Sequence, residues 1–255
     1  MSRRLQGKRA IITGGGSGIG RGAALKLAEE GADIGILDIN LEAAEQVARE
    51  ILQMGRQAIA LRVDVADESQ VENAVLRVEQ QFGGLDTLIP NAGVMLFGHD
   101  TVATDLDLKT WQKCIDVNLT GMFLTCKHGL RALMRNGKGA VVITSSPTGL
   151  QGCAPTYTAY STSKAGTFGL MRILAIDYVN KNIRVNAVLP GTTNSPLVTT
   201  LMENPATRAE FLAKIPMARA ADACEIANVI AFLASDEAAF VTGAAWYVDG
   251  GLSAI

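Results

Sequence analysis

An α/β architecture, with a doubly wound parallel sheet of about seven strands and helices on both faces, is what the sequence predicts for this 255-residue chain. Three observations carry that expectation. Short runs rich in β-branched residues alternate with longer amphipathic stretches from end to end, the periodicity of a βα repeat. The short runs are almost continuously apolar, as parallel strands covered on both faces require. A glycine turn lies directly between the first run and the first amphipathic stretch, where a strand must feed a helix.

Taken in order, the first strand is expected at 10–13 and the first helix at 19–30, followed by a strand at 34–38 and a helix at 41–54 that Asn40 can cap. The third pair is a strand at 58–63 and a helix at 69–82, preceded by Asp67-Glu68-Ser69-Gln70, which has the acid and the glutamine of a capping box. A strand at 85–90 leads to a long helical run at 108–135. Strands at 140–144 and 183–189 flank a helix at 158–178. The stretch 191–220 breaks the pattern with Pro196, Pro205 and Pro216 and starts on polar residues, so it reads as a substrate lid with one or two short helices. A helix at 224–233 and a last short strand near Trp246 to Val248, ending in a glycine turn, complete one domain over 1–255. In such a sheet, the Rossmann-type arrangement, the ligand crevice lies beyond the carboxyl ends of the strands.

Composition narrows the functional classes. Apolar residues make up 48%, charged residues 19%, and the net charge is −2, so disorder and a nucleic-acid surface are both disfavoured. No apolar stretch is long enough for a signal peptide or a membrane span, and a cytoplasmic location is expected. Cys114, Cys126, Cys153 and Cys224 form no Cys-x-x-Cys pair and read as reduced, small apolar residues, with no metal expected.

Two constellations carry chemistry. After the first strand, Gly14, Ser17, Gly18, Ile19 and Gly20 form a turn that lets backbone amides at a helix start approach a pyrophosphate. Asp38 ends the next strand eighteen residues after Gly20, where a carboxylate can accept from both hydroxyls of an adenosine ribose and repel a 2′-phosphate. NAD is therefore favoured over NADP. Asp64 and Val65 end the third strand and Asn91-Ala92-Gly93 the fourth; these positions suit either cofactor contact or turn chemistry. The second constellation is Tyr160 with Lys164. Residues at i and i+4 share a helix face, so an ammonium can sit beside the phenol and favour its phenolate. A tyrosine with a pKa of about 10 is only about 0.1% ionised at neutral pH, so use as a general base calls for such a neighbour.

Thr13-Gly14-x-x-x-Gly18-x-Gly20, Asn91-Ala92-Gly93, Asn118, Ser145-Ser146, Tyr160-x-x-x-Lys164, Pro190-Gly191 and Val248-Asp249-Gly250-Gly251 together resemble the short-chain dehydrogenase/reductase family in its single-domain form. The resemblance covers nearly the whole chain. It implies that Tyr160 exchanges a proton with the substrate oxygen, that Ser146 hydrogen-bonds that oxygen, and that Lys164 lowers the tyrosine pKa while holding the nicotinamide ribose. It further implies that Asn118 holds a water linking Lys164 to solvent, and that Pro190, Gly191, Thr193 and Ser195 border the nicotinamide. Thr193 departs from the family, which usually has Ile or Val there. Ser146 and Tyr160 are fourteen positions apart, one more than in many members, which points to an unusual pocket around Pro147 and Pro155.

The reaction expected is metal-independent interconversion of a secondary alcohol and a ketone with NAD. The mix of Met95, Leu96, Phe97 and Leu150 with His99, Thr148, Gln151, Thr156 and Asn194 favours a sugar, polyol or other polar alcohol. A 3-oxoacyl thioester and a small cyclic or hydroxysteroid-type alcohol stand as alternatives, and a dinucleotide-binding sensor without turnover is the reading from a different class. His99 is expected to be a solvated loop residue and His128 structural. The family resemblance implies a homotetramer.

Overall fold

The apolar runs form strands and the amphipathic stretches helices almost where the periodicity puts them. A computed structural model describes residues 3–198 and 205–254, so 199–204 of the expected lid lie outside the described residues. The strands are β1 (Arg9–Thr13), β2 (Asp33–Asp38), β3 (Ala58–Arg62), β4 (Thr87–Ile89), β5 (Gly139–Thr144), β6 (Ile183–Pro190) and β7 (Ala245–Val248). The helices are α1 (Gly18–Glu29), α2 (Leu41–Gln53), α3 (Glu68–Phe82), α4 (Leu108–Ile115), α5 (Gly121–Asn136), α6 (Thr158–Tyr178), α7 (Pro205–Ala213) and α8 (Ala223–Ala234).

All seven strands lie in one parallel sheet in the order β3-β2-β1-β4-β5-β6-β7. The chain winds outward from β1 to β3, then crosses back to β4 and continues to β7. β1 and β4 are thus the neighbours at which the winding reverses, and a crevice opens beyond their carboxyl ends.

Each face of the sheet has its own core. On one side Val71 and Val75 of α3, Leu130 and Leu133 of α5 and Met171 of α6 cover β-strand residues such as Leu88 and Val141. On the other, Leu27 of α1, Val47 and Ile51 of α2 and Ile226 and Ile230 of α8 cover Ile12 and Ile36. In α2 the buried residues Ala44, Val47, Ala48 and Ile51 recur at helical spacing, which is why that stretch forms a helix with one face down. The Asn40 side chain caps α2 as expected, accepting from the Ala43 amide at 3.2 Å.

Two expectations change. The single helix over 108–135 is α4 and α5 joined through a π turn at Asp116–Thr120. Inserting that extra residue carries Asn118 inward, where its amide is claimed by groups from other segments. The capping box before α3 is only half formed: Asp67 accepts from the Gln70 amide at 3.1 Å, but Gln70 does not return to the Asp67 amide. Its Oε1 accepts instead from the Asp64 amide at 3.0 Å and its Nε2 donates to the Asp67 carboxylate, so Gln70 ties the end of β3 to the helix start. No helix among the described residues is long and apolar enough to cross a membrane.

Candidate active site

The turn after β1 brings backbone close to backbone. A Cβ on Gly20 would lie 2.0 Å from the Gly14 carbonyl oxygen and 2.6 Å from the Asn91 side-chain nitrogen, so only glycine lets α1 start there. Asn91 closes the turn from below, its Nδ2 donating to the carbonyls of Thr13 and Gly14 at 3.1 and 3.3 Å, while the Thr13 hydroxyl accepts from the amides of Asn91 and Ala92. Asp38 braces the same turn from β2. Its Oδ2 accepts from the Gly16 amide and its Oδ1 from the Asn40 amide, both at 2.9 Å, leaving further lone pairs for a ligand.

Above the strand ends lies a cavity of about 630 Å³, within the usual range for small-molecule and cofactor sites. Gly14, Ser17, Gly18 and Ile19 line it from the turn, with Asp38, Asp64 and Val65 at the ends of β2 and β3. Asn91, Ala92 and Gly93 line it after β4, and Ser146, Tyr160 and Lys164 from β5 and α6. Pro190, Gly191, Thr193 and Ser195 line it after β6. Gly20 and Asn118 stand behind this wall and do not face the cavity. Asp64 also makes an Asx turn, accepting from the Ala66 amide at 3.0 Å, so the turn chemistry expected of it is present at a position that lines the cavity. Thr193 is 3% exposed and its hydroxyl donates to the Gly191 carbonyl, which leaves any contact with a ligand to its backbone.

The residues present fit a dinucleotide. A side-chain-free turn at a helix start, a carboxylate at the end of β2 and a long cavity across the reversal of winding supply the cradle, the ribose acceptor and the space. The bound nicotinamide dinucleotide would supply the hydride donor and acceptor.

The residues expected to move the proton, Ser146, Tyr160 and Lys164, line the other side. Ser146 and Ser145 both line the cavity, but the Ser145 hydroxyl is engaged with the Lys164 carbonyl and Thr167. The Ser146 hydroxyl accepts from that of Thr148 at 3.1 Å and hydrogen-bonds the Tyr160 phenol. Burial pushes the Tyr160 phenol up to about 12, and the Ser146 hydrogen bond draws it back only in part. Burial pushes the Lys164 ammonium down to about 8. The ammonium lies over the tyrosine ring, on the helix face the two residues share. Lys164 Nζ lies 5.8 Å from the centre of the tyrosine ring and donates to the Thr144 carbonyl at 3.0 Å. The i, i+4 spacing sets the face that both residues share, but an acceptor on the end of β5 decides where the long side chain ends.

Asn118 is fully buried. Its Oδ1 accepts from the Val94 amide at 2.7 Å, and its Nδ2 donates to the Val94 carbonyl and the Ser163 hydroxyl at 2.9 and 3.0 Å. It therefore fastens the segment after β4 to α6. A Cβ on Gly93 would meet Asn118 Oδ1 at 3.3 Å and Lys164 Nζ at 3.5 Å, which measures how close these groups come. Gly149 plays the matching part on the serine side: a Cβ there would lie 2.6 Å from the backbone of Lys164 and Ala165, so the loop after Ser146 rests directly on α6.

Other residues of the cavity carry no local mark in the sequence. Leu252, just beyond the last glycines, lines the cavity, as do Phe211 of α7 and Ile215. Cys153 lines it too and is half-buried, unlike the core cysteines Cys114 and Cys126. The Asp100 carboxylate accepts from the amides of Ala159 and Tyr160, 59 and 60 residues further on, a separation no local pattern reveals. His99 is exposed, and His128 is buried between Glu68 and Glu72, as expected of a solvated and a structural histidine.

A family profile described as enoyl-(acyl carrier protein) reductase matches residues 14–253. The chain belongs to the short-chain dehydrogenase/reductase family and is an NAD-dependent oxidoreductase of that family. It is 42% identical to a cis-4-hydroxycyclohexanecarboxylate dehydrogenase of Sinomonas cyclohexanicum, over 96% of each chain. It is 38% identical to a cyclohexanol dehydrogenase of Acinetobacter sp. strain SE19, over 98% of this chain and 96% of that one. Among solved structures, carveol dehydrogenase from Mycobacterium avium in complex with NAD superposes with a TM-score of 0.93 at 34% identity, covering 99% of each chain.

Proposed function

We infer that the protein interconverts a compact, largely apolar ring alcohol and its ketone. The observation that carries this is the wall of the cavity around Tyr160. Met95, Tyr157, Leu197, Phe211, Ile215 and Leu252 line the cavity with apolar surface, and Met95 and Tyr157 pack against the cluster of Cys114, Ala159 and Tyr160. Against the apolar part of this wall a polyol hydroxyl would lack a partner, which is unfavourable for each unpaired group. The sequence favours a sugar or polyol because His99, Thr148, Gln151, Thr156 and Asn194 count as polar, yet only Thr148 and Thr156 of these line the cavity. The relatives named for cyclohexanol, hydroxycyclohexanecarboxylate and carveol point the same way.

In this reading Tyr160, protonated at neutral pH because burial raises its pKa to about 12, donates to the forming alkoxide in the reductive direction. Ser146 donates a hydrogen bond to the same oxygen. Lys164 holds positive charge in the cavity wall below a pH of about 8 and stands ready to bond the ribose. Asp38 accepts from the adenosine ribose and selects against a 2′-phosphate; Asp64 and Val65 face the adenine. Residues 191–198 and α7 act as the lid. A homotetramer fits the apolar residues left open on α5, on α6 and in the turn before β7, among them Phe123, Ile173, Ile176 and Phe240, which is fully exposed. A monomeric mass by light scattering would remove that assembly.

The test is an NAD-linked screen of cyclohexanol, substituted cyclohexanols and terpenols against polyols such as sorbitol. Faster turnover of the polyols overturns the substrate assignment. Replacing Tyr160 with Phe is expected to abolish turnover while NADH binds as before; retained turnover would refute the role given to Tyr160.

A further inference from the structure

α6 carries both Tyr160 and Lys164, yet nothing local caps it: Tyr157, the residue before it, makes no side-chain hydrogen bond to the first turn. The first amides of a helix have no partner within it and must find one elsewhere. Here that partner is Asp100, whose Oδ1 accepts from the Ala159 amide at 3.0 Å and whose Oδ2 accepts from the Tyr160 amide at 2.9 Å. Asp100 is only 6% exposed, and a buried carboxylate is tolerated where it is hydrogen-bonded. Its own amide donates to the Leu96 carbonyl at 2.8 Å, and Met95, next to Leu96, lines the cavity. One carboxylate thus joins a wall of the cavity to the start of the helix that bears the proton donor.

We propose that Asp100 is a positioning residue for Tyr160: it fixes α6 against the cavity wall, and its negative charge offsets the positive helix end beneath the phenol. The proposal rests on Tyr160 being the proton donor. An asparagine replaces one of the two accepting oxygens with an NH2 group, which would face an amide N–H instead of accepting from it. The other groups facing the phenol are the Ser146 hydroxyl, Lys164, and the thiols of Cys114 and Cys153, both held neutral by burial.

The experiment compares Asp100→Asn and Asp100→Glu with the parent chain by two measurements. Ultraviolet titration of the tyrosines, with Tyr160→Phe subtracted to isolate one of the four, needs no substrate. Steady-state kinetics on cyclohexanol with NAD form the second. Asp100→Asn is expected to move the Tyr160 titration to lower pH and to lower kcat about 10- to 100-fold, with the KM for NAD little changed. Asp100→Glu keeps the charge, so it should leave the titration in place while kcat still falls. An unmoved Tyr160 titration in Asp100→Asn, or a kcat loss that only tracks loss of folded protein, overturns the proposal. If Asp100→Asn does not fold, a Tyr160 titration shifted in Asp100→Glu overturns it instead. Failure of the parent chain to oxidise cyclohexanol would count against the substrate reading alone, since the titration is read without it.

Discussion

Lys164 is a buried cation in this fold, and its burial should be visible as a pH-dependent destabilisation. The residue is 4% exposed, and its ammonium is pushed from the ordinary 10.5 down to about 8. Between those values the unfolded chain binds a proton that the folded chain has released, so stability contributed by this residue rises with pH across that window. Below pH 8 the penalty is complete. A shift of this size corresponds to about 3 kcal/mol at pH 7, falling to about 1 kcal/mol at pH 9.5, where the unfolded lysine is still mostly charged. Lys164→Met removes the titration. It also removes the bond to the Thr144 carbonyl, but that loss is the same at both pH values and drops out of the comparison. The stability of the variant relative to the parent should therefore decline by roughly 2 kcal/mol from pH 7 to pH 9.5. Urea denaturation at both pH values, at one protein concentration, measures it. A relative stability independent of pH would mean that Lys164 is not desolvated as the structure has it.

Asp38→Asn should lower the preference for NAD over NADP at least tenfold in kcat/KM, by about 1.4 kcal/mol or more, because the charge that repels a 2′-phosphate is lost; paired kinetics with the two cofactors read it. Gly20→Ala forces a methyl group against the Gly14 carbonyl and should cost about 1–3 kcal/mol of stability. NADH affinity, followed by fluorescence titration, should fall further than stability does, and unchanged affinity would show that the turn does not hold the dinucleotide. Leu252→Ala opens the cavity at the carboxy-terminal end. The KM for bulkier ring alcohols should drop relative to cyclohexanol, with the KM for NAD unaffected.

What the sequence revealed of this site, and what it hid, divide along the range of the interactions. Gly20 and Asp38 were legible because their requirements are local: a turn between strand and helix, and a carboxylate at a strand end. The pairing of Tyr160 with Lys164 was legible as a shared helix face, but the lysine's acceptor was not, because it is the carbonyl of Thr144 on another strand. The π turn at Asn118 and the capping of α6 by Asp100 were hidden for the same reason, since their partners are Val94, Ser163, Ala159 and Tyr160 across long stretches of chain. These hidden bonds share a direction. Asn118 and Asp100 both run between the segment after β4 and α6, one at each side of Tyr160 along that helix. α6 is therefore held by polar contacts to a cavity wall as well as by its apolar packing on the sheet. An apolar contact tolerates sliding, whereas a carboxylate bridging two amides does not, so the position of the phenol is set by the polar pair and the depth of the helix by the core.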